Sequence, residues 1–295
     1  MIPALLLALR PKQWTKNLLV FAGVVFSLRI GEPTLLLRAV AGFFAFSLLA
    51  GTVYLLNDLR DIEADRLHPR KRKRPLASGR LPVGVARLAL VPLVAVVFAL
   101  SWWLGIGFCA VAGIYLLMNL AYSLGLKHQV LIDVFVVATG FVLRAIAGVE
   151  LMLPVAPDTA LSPWLLVCTF FGALFLALAK RRREIENAGS HAGEQRAVLQ
   201  QYSAPLLDGL LLVTAATSLM SYALYTIWPA TVAKFGTEAL LYTVPIVAYG
   251  IFRYLYLTNA SEKSEDPSQV LLTDRPMGVC VLLYLVVVVL VLYRQ

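Results

Sequence analysis

Nine stretches of this 295-residue chain are apolar for long enough to be buried as helices along their whole length, and that repetition sets the fold class before any motif is read. They run approximately over 17–31, 35–57, 82–101, 103–122, 131–151, 162–180, 205–227, 237–257 and 277–293. About 20 apolar residues of helix cross a hydrocarbon core, where every backbone polar group must be satisfied inside its own segment. The chain is therefore predicted to be all-α, an integral membrane bundle of nine transmembrane helices. Its composition agrees, with 60% of residues hydrophobic and 15% charged, against about 25% charged in soluble domains. A soluble monomer is excluded, and so is a disordered chain, which needs low hydrophobicity and high charge.

Lys and Arg fall unevenly between the two sides of such a bundle. With the amino terminus cytoplasmic, that side collects 19 of them, the other side has Arg29, Arg38, Lys234 and Arg294, and Arg87, Arg144 and Arg253 lie within spans. The positive-inside rule then places the amino terminus inside and the carboxyl terminus outside. The formal net charge of +9 is mostly this asymmetry, so it needs no nucleic-acid partner. Residues 1–295 read as one domain with cytoplasmic polar loops at 58–81, 123–130, 180–204 and 258–276, four loops that would roof a cavity on that face. The start of the chain lacks the charged-then-apolar order of a cleaved signal and reads as mature. Cys109, Cys168 and Cys280 sit apart inside apolar runs, which suits core residues, and His68, His128 and His191 are too scattered for a metal cluster.

The sharpest chemical signal follows the second span. Asn57, Asp58, Asp61 and Asp65 lead into the basic run Arg70 to Arg74 and Pro75. On a continuous helix, residues 58, 61 and 65 share an arc of about 60°. Three carboxylates that close repel unless a cation joins them, and an all-oxygen site suits Mg²⁺, which shares its shell with substrate phosphates. The bland alternative is a solvated helix of Asp–Arg pairs. The basic run has one too, as a topogenic anchor. Beside a Mg²⁺ site, however, Arg72 and Arg74 would grip a diphosphate.

Two further groups stand out. Tyr122, Lys127, Asp133 and Arg144 form the first; Asp133 and Arg144 lie three turns apart on one helix face, which puts Arg144 near mid-bilayer, where a charge must face a partner or a watery cavity. An internal ion pair would also explain it. The second is Lys180, Arg181, Arg182, Arg183 and Glu184, more cations than a helix terminus needs for its dipole, which suggests phosphate binding. Arg253, Tyr254, Asp274 and Arg275 are weaker candidates of the same kind. No P-loop, nucleophile elbow or zincin motif is present.

With these motifs the chain resembles the UbiA superfamily of intramembrane prenyltransferases, nine-helix enzymes with an NDxxDxxxD motif after the second helix. That motif matches here through Asn57, Asp58, Asp61 and Asp65, and the basic element after it through Arg72, Arg74 and Pro75. Where other members carry a second Asp-rich motif, this sequence has Lys180 to Glu184. Together with Arg10-Pro11-Lys12-Gln13-Trp14-Thr15-Lys16-Asn17, Tyr122 to Asp133, Gly140 to Gly148 and Asp274-Arg275, that departure resembles the phosphoribosyltransferase branch of the superfamily.

The resemblance implies a donor, 5-phosphoribosyl diphosphate, and an acceptor, a polyprenyl phosphate of the decaprenyl kind, with diphosphate released and the product feeding cell-wall arabinan synthesis. It implies Asp58, Asp61 and Asp65 as catalytic metal ligands with Asn57. Lys16, Asn57, Arg72, Arg74, Tyr122, Lys127, Asp133, Arg144, Lys180, Arg181, Arg182 and Arg253 would bind substrate. It also implies a bacterial inner-membrane location with the site facing the cytoplasm. The rival readings are a prenyltransferase moving an isoprenyl group from a prenyl diphosphate to an aromatic or other acceptor, and a non-enzymatic transporter with Arg144 on its pathway. Oligomeric state is not legible.

Overall fold

The computed structural model describes residues 2–67, 71–188, 197–260 and 274–293. Outside them lie His68, Pro69 and Arg70 of the basic run, His191, Arg294, and much of the expected 180–204 and 258–276 loops. The described residues are helical, with no strand among them, in the order α1 (Ile2–Ala8), a 3-10 segment (Pro11–Phe21), α2 (Ala22–Phe26), α3 (Pro33–Arg60), α4 (Ile62–Leu67), a 3-10 turn (Lys71–Lys73), α5 (Val83–Leu104), α6 (Ile106–Leu124), a 3-10 turn (Leu126–His128), α7 (Ile132–Glu150), α8 (Pro163–Ala188), a 3-10 turn (Ala197–Gln201), α9 (Ala204–Ile227), α10 (Pro229–Phe235), a 3-10 turn (Ala239–Thr243), α11 (Val244–Ala260) and α12 (Arg275–Tyr293).

Eight helical segments among the described residues are long and apolar enough to cross a membrane, so the chain is a multi-pass membrane protein. The first of the nine expected spans, 17–31, is not one of them. Arg10 interrupts the chain in the left-handed region (φ 53°), the next eleven residues wind as 3-10 helix, and only α2, five residues long, is α-helical before Leu28 turns left-handed (φ 60°). This segment packs closely against α7: a Cβ at Gly148 would strike the Val20 carbonyl, and one at Gly23 the Gly148 carbonyl. Glycine at both positions is what permits two backbones to come this close.

The chain divides into two compact units, residues 1–127 with 140–161, and residues 128–139 with 162–295. In the first unit α3 packs against α5, α6 and the Pro11–Phe21 segment. Phe46, fully buried, meets Phe108 and Tyr115 edge-on at ring separations of 5.7 and 5.3 Å. Arg38 is buried in the same unit and donates to the carbonyls of Leu104 and Leu151 (2.6 Å to the latter), at the carboxyl ends of α5 and α7. A guanidinium there supplies two helix ends with donors that lipid cannot give.

In the second unit α8 lies along α9, and α11 pairs with α12. Several hydroxyls within the spans find partners nearby: Thr214 and Thr258 donate to carbonyls four residues back in their own helices, and Tyr222 bonds Thr243 at 2.6 Å. α8 runs two turns beyond the expected end of its span and carries Lys180 to Arg183 with it.

Candidate functional site

The first unit gathers the acidic motif at the end of α3. Helix α3 stops at Arg60, Asp61 occupies its C-cap (φ −98°, ψ 16°), and α4 restarts at Ile62. The break separates the three carboxylates that a continuous helix would align. Asp58 and Asp65 are buried, 1% and 3% exposed, and share one guanidinium: Arg74 Nη1 lies 3.1 Å from Asp58 Oδ1 and 2.6 Å from Asp65 Oδ2. Asp61 is turned to a different cation, Lys127, with Nζ 3.4 Å from Oδ2. Asn57 holds its amide oxygen toward the Ser123 hydroxyl of α6, and Arg60 donates to the Ser123 carbonyl at 2.7 Å.

The loop that delivers Arg74 is itself fixed. Leu76 and Leu81 are buried, Leu81 N–H donates to the Pro75 carbonyl at 2.9 Å, and Gly79 takes the positive φ of 75° that lets the chain reverse. Arg72, from the preceding 3-10 turn, is exposed. A further cation reaches Asp58 from the start of the chain: Arg10 Nη2 is 2.5 Å from Asp58 Oδ1, with its guanidinium 4.5 Å over the Tyr54 ring. Lys16 and Tyr122 are half-buried in the same unit.

Among the described residues, no three acidic, His or Cys side chains converge into a ready cage. The donor set nevertheless fits a magnesium ion. Asp58 and Asp65 are two carboxylates brought to one cation, and Mg²⁺ is ordinarily held by one or two carboxylates, with waters and substrate phosphates completing its shell.

Arg144 is 5% exposed and its nitrogens are all engaged inside the first unit. Nε donates to Asn17 Oδ1 at 2.7 Å, Nη1 to the Gly140 carbonyl at 2.7 Å and Nη2 to the Tyr115 hydroxyl at 2.9 Å, while Asn17 Nδ2 donates onward to Ser47 at 3.0 Å. The intramembrane charge thus ties the Pro11–Phe21 segment to α6 and α7. Asp133, three turns away on α7, is not its partner.

In the second unit Asp133 is completely buried and accepts from the Tyr202 hydroxyl at 2.7 Å; Arg181 Nε approaches its other oxygen at 3.4 Å. The Tyr202 oxygen in turn accepts the Leu131 N–H at 2.7 Å, holding Leu131 in a left-handed conformation (φ 66°) at the entry to α7. Burial pushes the Tyr202 phenol well above its usual range, and its hydrogen bond to Asp133 pushes it further, so it stays a donor at neutral pH.

The basic run on α8 disperses. Arg181 also meets Glu184, Arg182 Nε donates to Asp208 at 2.7 Å, and Arg183, 5% exposed, reaches the Leu257 carbonyl; Lys180 is half-buried. Arg253 is committed to Asp274, at 2.8 Å from Nη2, and Asp274 also accepts the Met277 N–H at 2.9 Å. The Arg253 hydrogen bond, above all, holds the Asp274 carboxyl below its usual range.

Arg10, Asn17, Tyr115, Tyr202 and Asp208 complete these clusters and were not among the expected site residues. Arg10 and Asn17 stood within the quoted amino-terminal motif; the other three carry no local pattern, because their partners lie 26 to 69 residues away.

A family model described as the UbiA prenyltransferase family matches residues 17–273. The chain is 34% identical over 296 residues to a decaprenyl-phosphate phosphoribosyltransferase of Mycolicibacterium smegmatis, covering 97% of this chain and 91% of that one. It is 36% identical over 294 residues to the protein of the same name from Corynebacterium glutamicum, covering 97% and 86%. A UbiA homolog from Archaeoglobus fulgidus, solved bound to GPP and Mg²⁺, superposes with a TM-score of 0.71 at 20% identity over 98% of this chain and 99% of that one, a likeness of fold.

Proposed function

The chain belongs to the UbiA prenyltransferase family, and from that premise we propose that it transfers the 5-phosphoribosyl group of 5-phosphoribosyl diphosphate to a polyprenyl phosphate of the decaprenyl kind. The end-to-end similarity to relatives named for that reaction carries the choice of donor and acceptor. The sequence supports it at Lys180 to Glu184, where a second acidic motif would be expected of an ordinary prenyltransferase.

Asp58 and Asp65 would hold Mg²⁺, with Asn57 and Asp61 of the same motif proposed to join them only by leaving Ser123 and Lys127; when bound, the ion supplies positive charge against the leaving diphosphate. The residues of the chain do the rest. Arg74, already poised between two carboxylates, and Arg72 beside it take the diphosphate oxygens; a guanidinium grips them bidentately. Lys127 and Lys16 supply further cations. The bond from the anomeric carbon to the diphosphate oxygen breaks as one forms from that carbon to an oxygen of the lipid phosphate. The lipid phosphate is ionised at neutral pH, so no general base is required, only cations to position it and to offset charge in the transition state. Within the second unit, Arg181 and Arg182 are cations suited to a phosphate, and Tyr202 keeps Asp133 beside Arg181. The charge asymmetry of the loops supports a cytoplasmic amino terminus and, with it, a cytoplasmic active site, and the bacterial relatives support a bacterial membrane as its place.

The test is label transfer from radiolabelled 5-phosphoribosyl diphosphate to a polyprenyl monophosphate by the detergent-purified protein. Transfer that disappears with EDTA and in Asp61→Asn is the expected result. Transfer unaffected by either would remove the carboxylates from the chemistry.

A further inference from the structure

The break between α1 and the Pro11–Phe21 segment aims a cation at the carboxylate pair. Arg10 adopts φ 53° and ψ 62°, a conformation that a residue with a long side chain keeps only where its surroundings enforce it. They do so here. Leu9 is 3% exposed and lies so close to α3 that a Cβ at Gly51 would stand 3.0 Å from the Leu9 Cβ. Trp14 Nε1 donates to the Leu9 carbonyl at 3.2 Å, and Gln13 N–H to the Arg10 carbonyl at 2.8 Å. The outcome is a guanidinium laid over Tyr54 and onto Asp58 Oδ1, the same oxygen that Arg74 reaches.

Among the described residues, the charges in contact at Asp58 and Asp65 balance without any ligand. Two carboxylates with side chains 2% and 4% exposed face two guanidiniums 27% and 29% exposed. A divalent cation entering alone would raise the cluster to two net positive charges in a desolvated place, where such an excess is costly. A cation arriving with a diphosphate would not, because the anion takes the guanidiniums as the metal takes the carboxylates. We propose that Arg10 is a coupling counterion: it occupies Asp58 while the site is empty and transfers to the donor's diphosphate when the metal arrives, so that metal and diphosphate bind well only together. The proposal rests on reading Asp58 and Asp65 as metal ligands. It makes Arg10 a donor-binding residue, and by linkage each ligand strengthens the other by the same factor.

The test reads Mn²⁺ bound to the full-length protein by electron paramagnetic resonance, with and without inorganic diphosphate, in wild type, Arg10→Gln and Arg10→Lys; no turnover is involved. In wild type, diphosphate should strengthen Mn²⁺ binding. In Arg10→Gln, Mn²⁺ alone should bind about tenfold more tightly and diphosphate in its presence about tenfold more weakly, the size of one charge-assisted hydrogen bond gained or lost. Arg10→Lys, which keeps the charge, should stay near wild type and shows that the site remains folded. Unchanged Mn²⁺ and diphosphate affinities in Arg10→Gln would overturn the role of Arg10 alone. Absence of Mn²⁺ binding to wild type even with diphosphate would overturn it together with the metal reading.

Discussion

Replacing Arg144 with Leu separates a structural tie from a phosphate ligand. The substitution removes two hydrogen bonds that leave α7, to Asn17 at 2.7 Å and Tyr115 at 2.9 Å, and the stacking of the guanidinium 5.0 Å from the Tyr115 ring. Hydrogen bonds between segments inside membranes are worth about 0.6 kcal/mol on average and up to about 1.7, and a cation over an aromatic face adds about 0.5–2 kcal/mol. The third bond, to Gly140, lies within α7 and its loss frees a carbonyl already used by the helix. The expected cost is therefore about 2–4 kcal/mol, or roughly 5–15 °C in the melting temperature of a unit this size. The assay is thermal unfolding of the purified protein in detergent, with Asn17→Ala and the double variant alongside. Asn17→Ala should recover a large share of the same loss, and the double variant should lose clearly less than the sum, because both changes cut one bond. An Arg144→Leu protein that melts with wild type but binds donor poorly would refute the reasoning and return Arg144 to the substrate.

Tyr202→Phe should leave both the Asp133 carboxylate and the Leu131 N–H without their shared partner and lower stability by about 1–3 kcal/mol, seen as a lower melting temperature; no change would mean that the buried carboxylate does not depend on it. Asp274→Ala should cost about 1 kcal/mol through loss of the helix cap. Because Arg253 depresses the Asp274 carboxyl in the folded protein, the pair's contribution is complete above the ordinary carboxylate range and is lost as pH falls through the folded value, so the difference in melting temperature between wild type and Asp274→Ala should shrink in acid. A difference that grows in acid would reverse the sign of that account.

The membrane class and eight of the nine span positions were legible because lipid demands a long apolar run wherever a helix crosses it. The 3-10 winding of residues 11–21 was not legible, and neither was the close approach of Val20 and Gly23 to Gly148, a long-range contact that no local pattern records. The carboxylates were legible as residues but not as a set: the helical wheel assumes a continuous helix, and α3 ends one residue before Asp61. For Lys180 to Arg183 the reverse holds. These residues do continue a helix, and because successive positions turn by about 100°, four adjacent cations point four ways, to Asp133, Asp208 and the Leu257 carbonyl among them. The burial of Arg144 was legible from its place in an apolar run, whereas the partner it meets, the Asn17 amide 127 residues away, was not.

The most direct measurement is the mass of the lipid made when purified protein, Mg²⁺ and a polyprenyl monophosphate are given 5-phosphoribosyl diphosphate, with a prenyl diphosphate in a parallel reaction. The account predicts a lipid heavier by one phosphoribosyl group in the first reaction and no new product in the second. A prenylated product from the second, with 5-phosphoribosyl diphosphate left intact in the first, would contradict it.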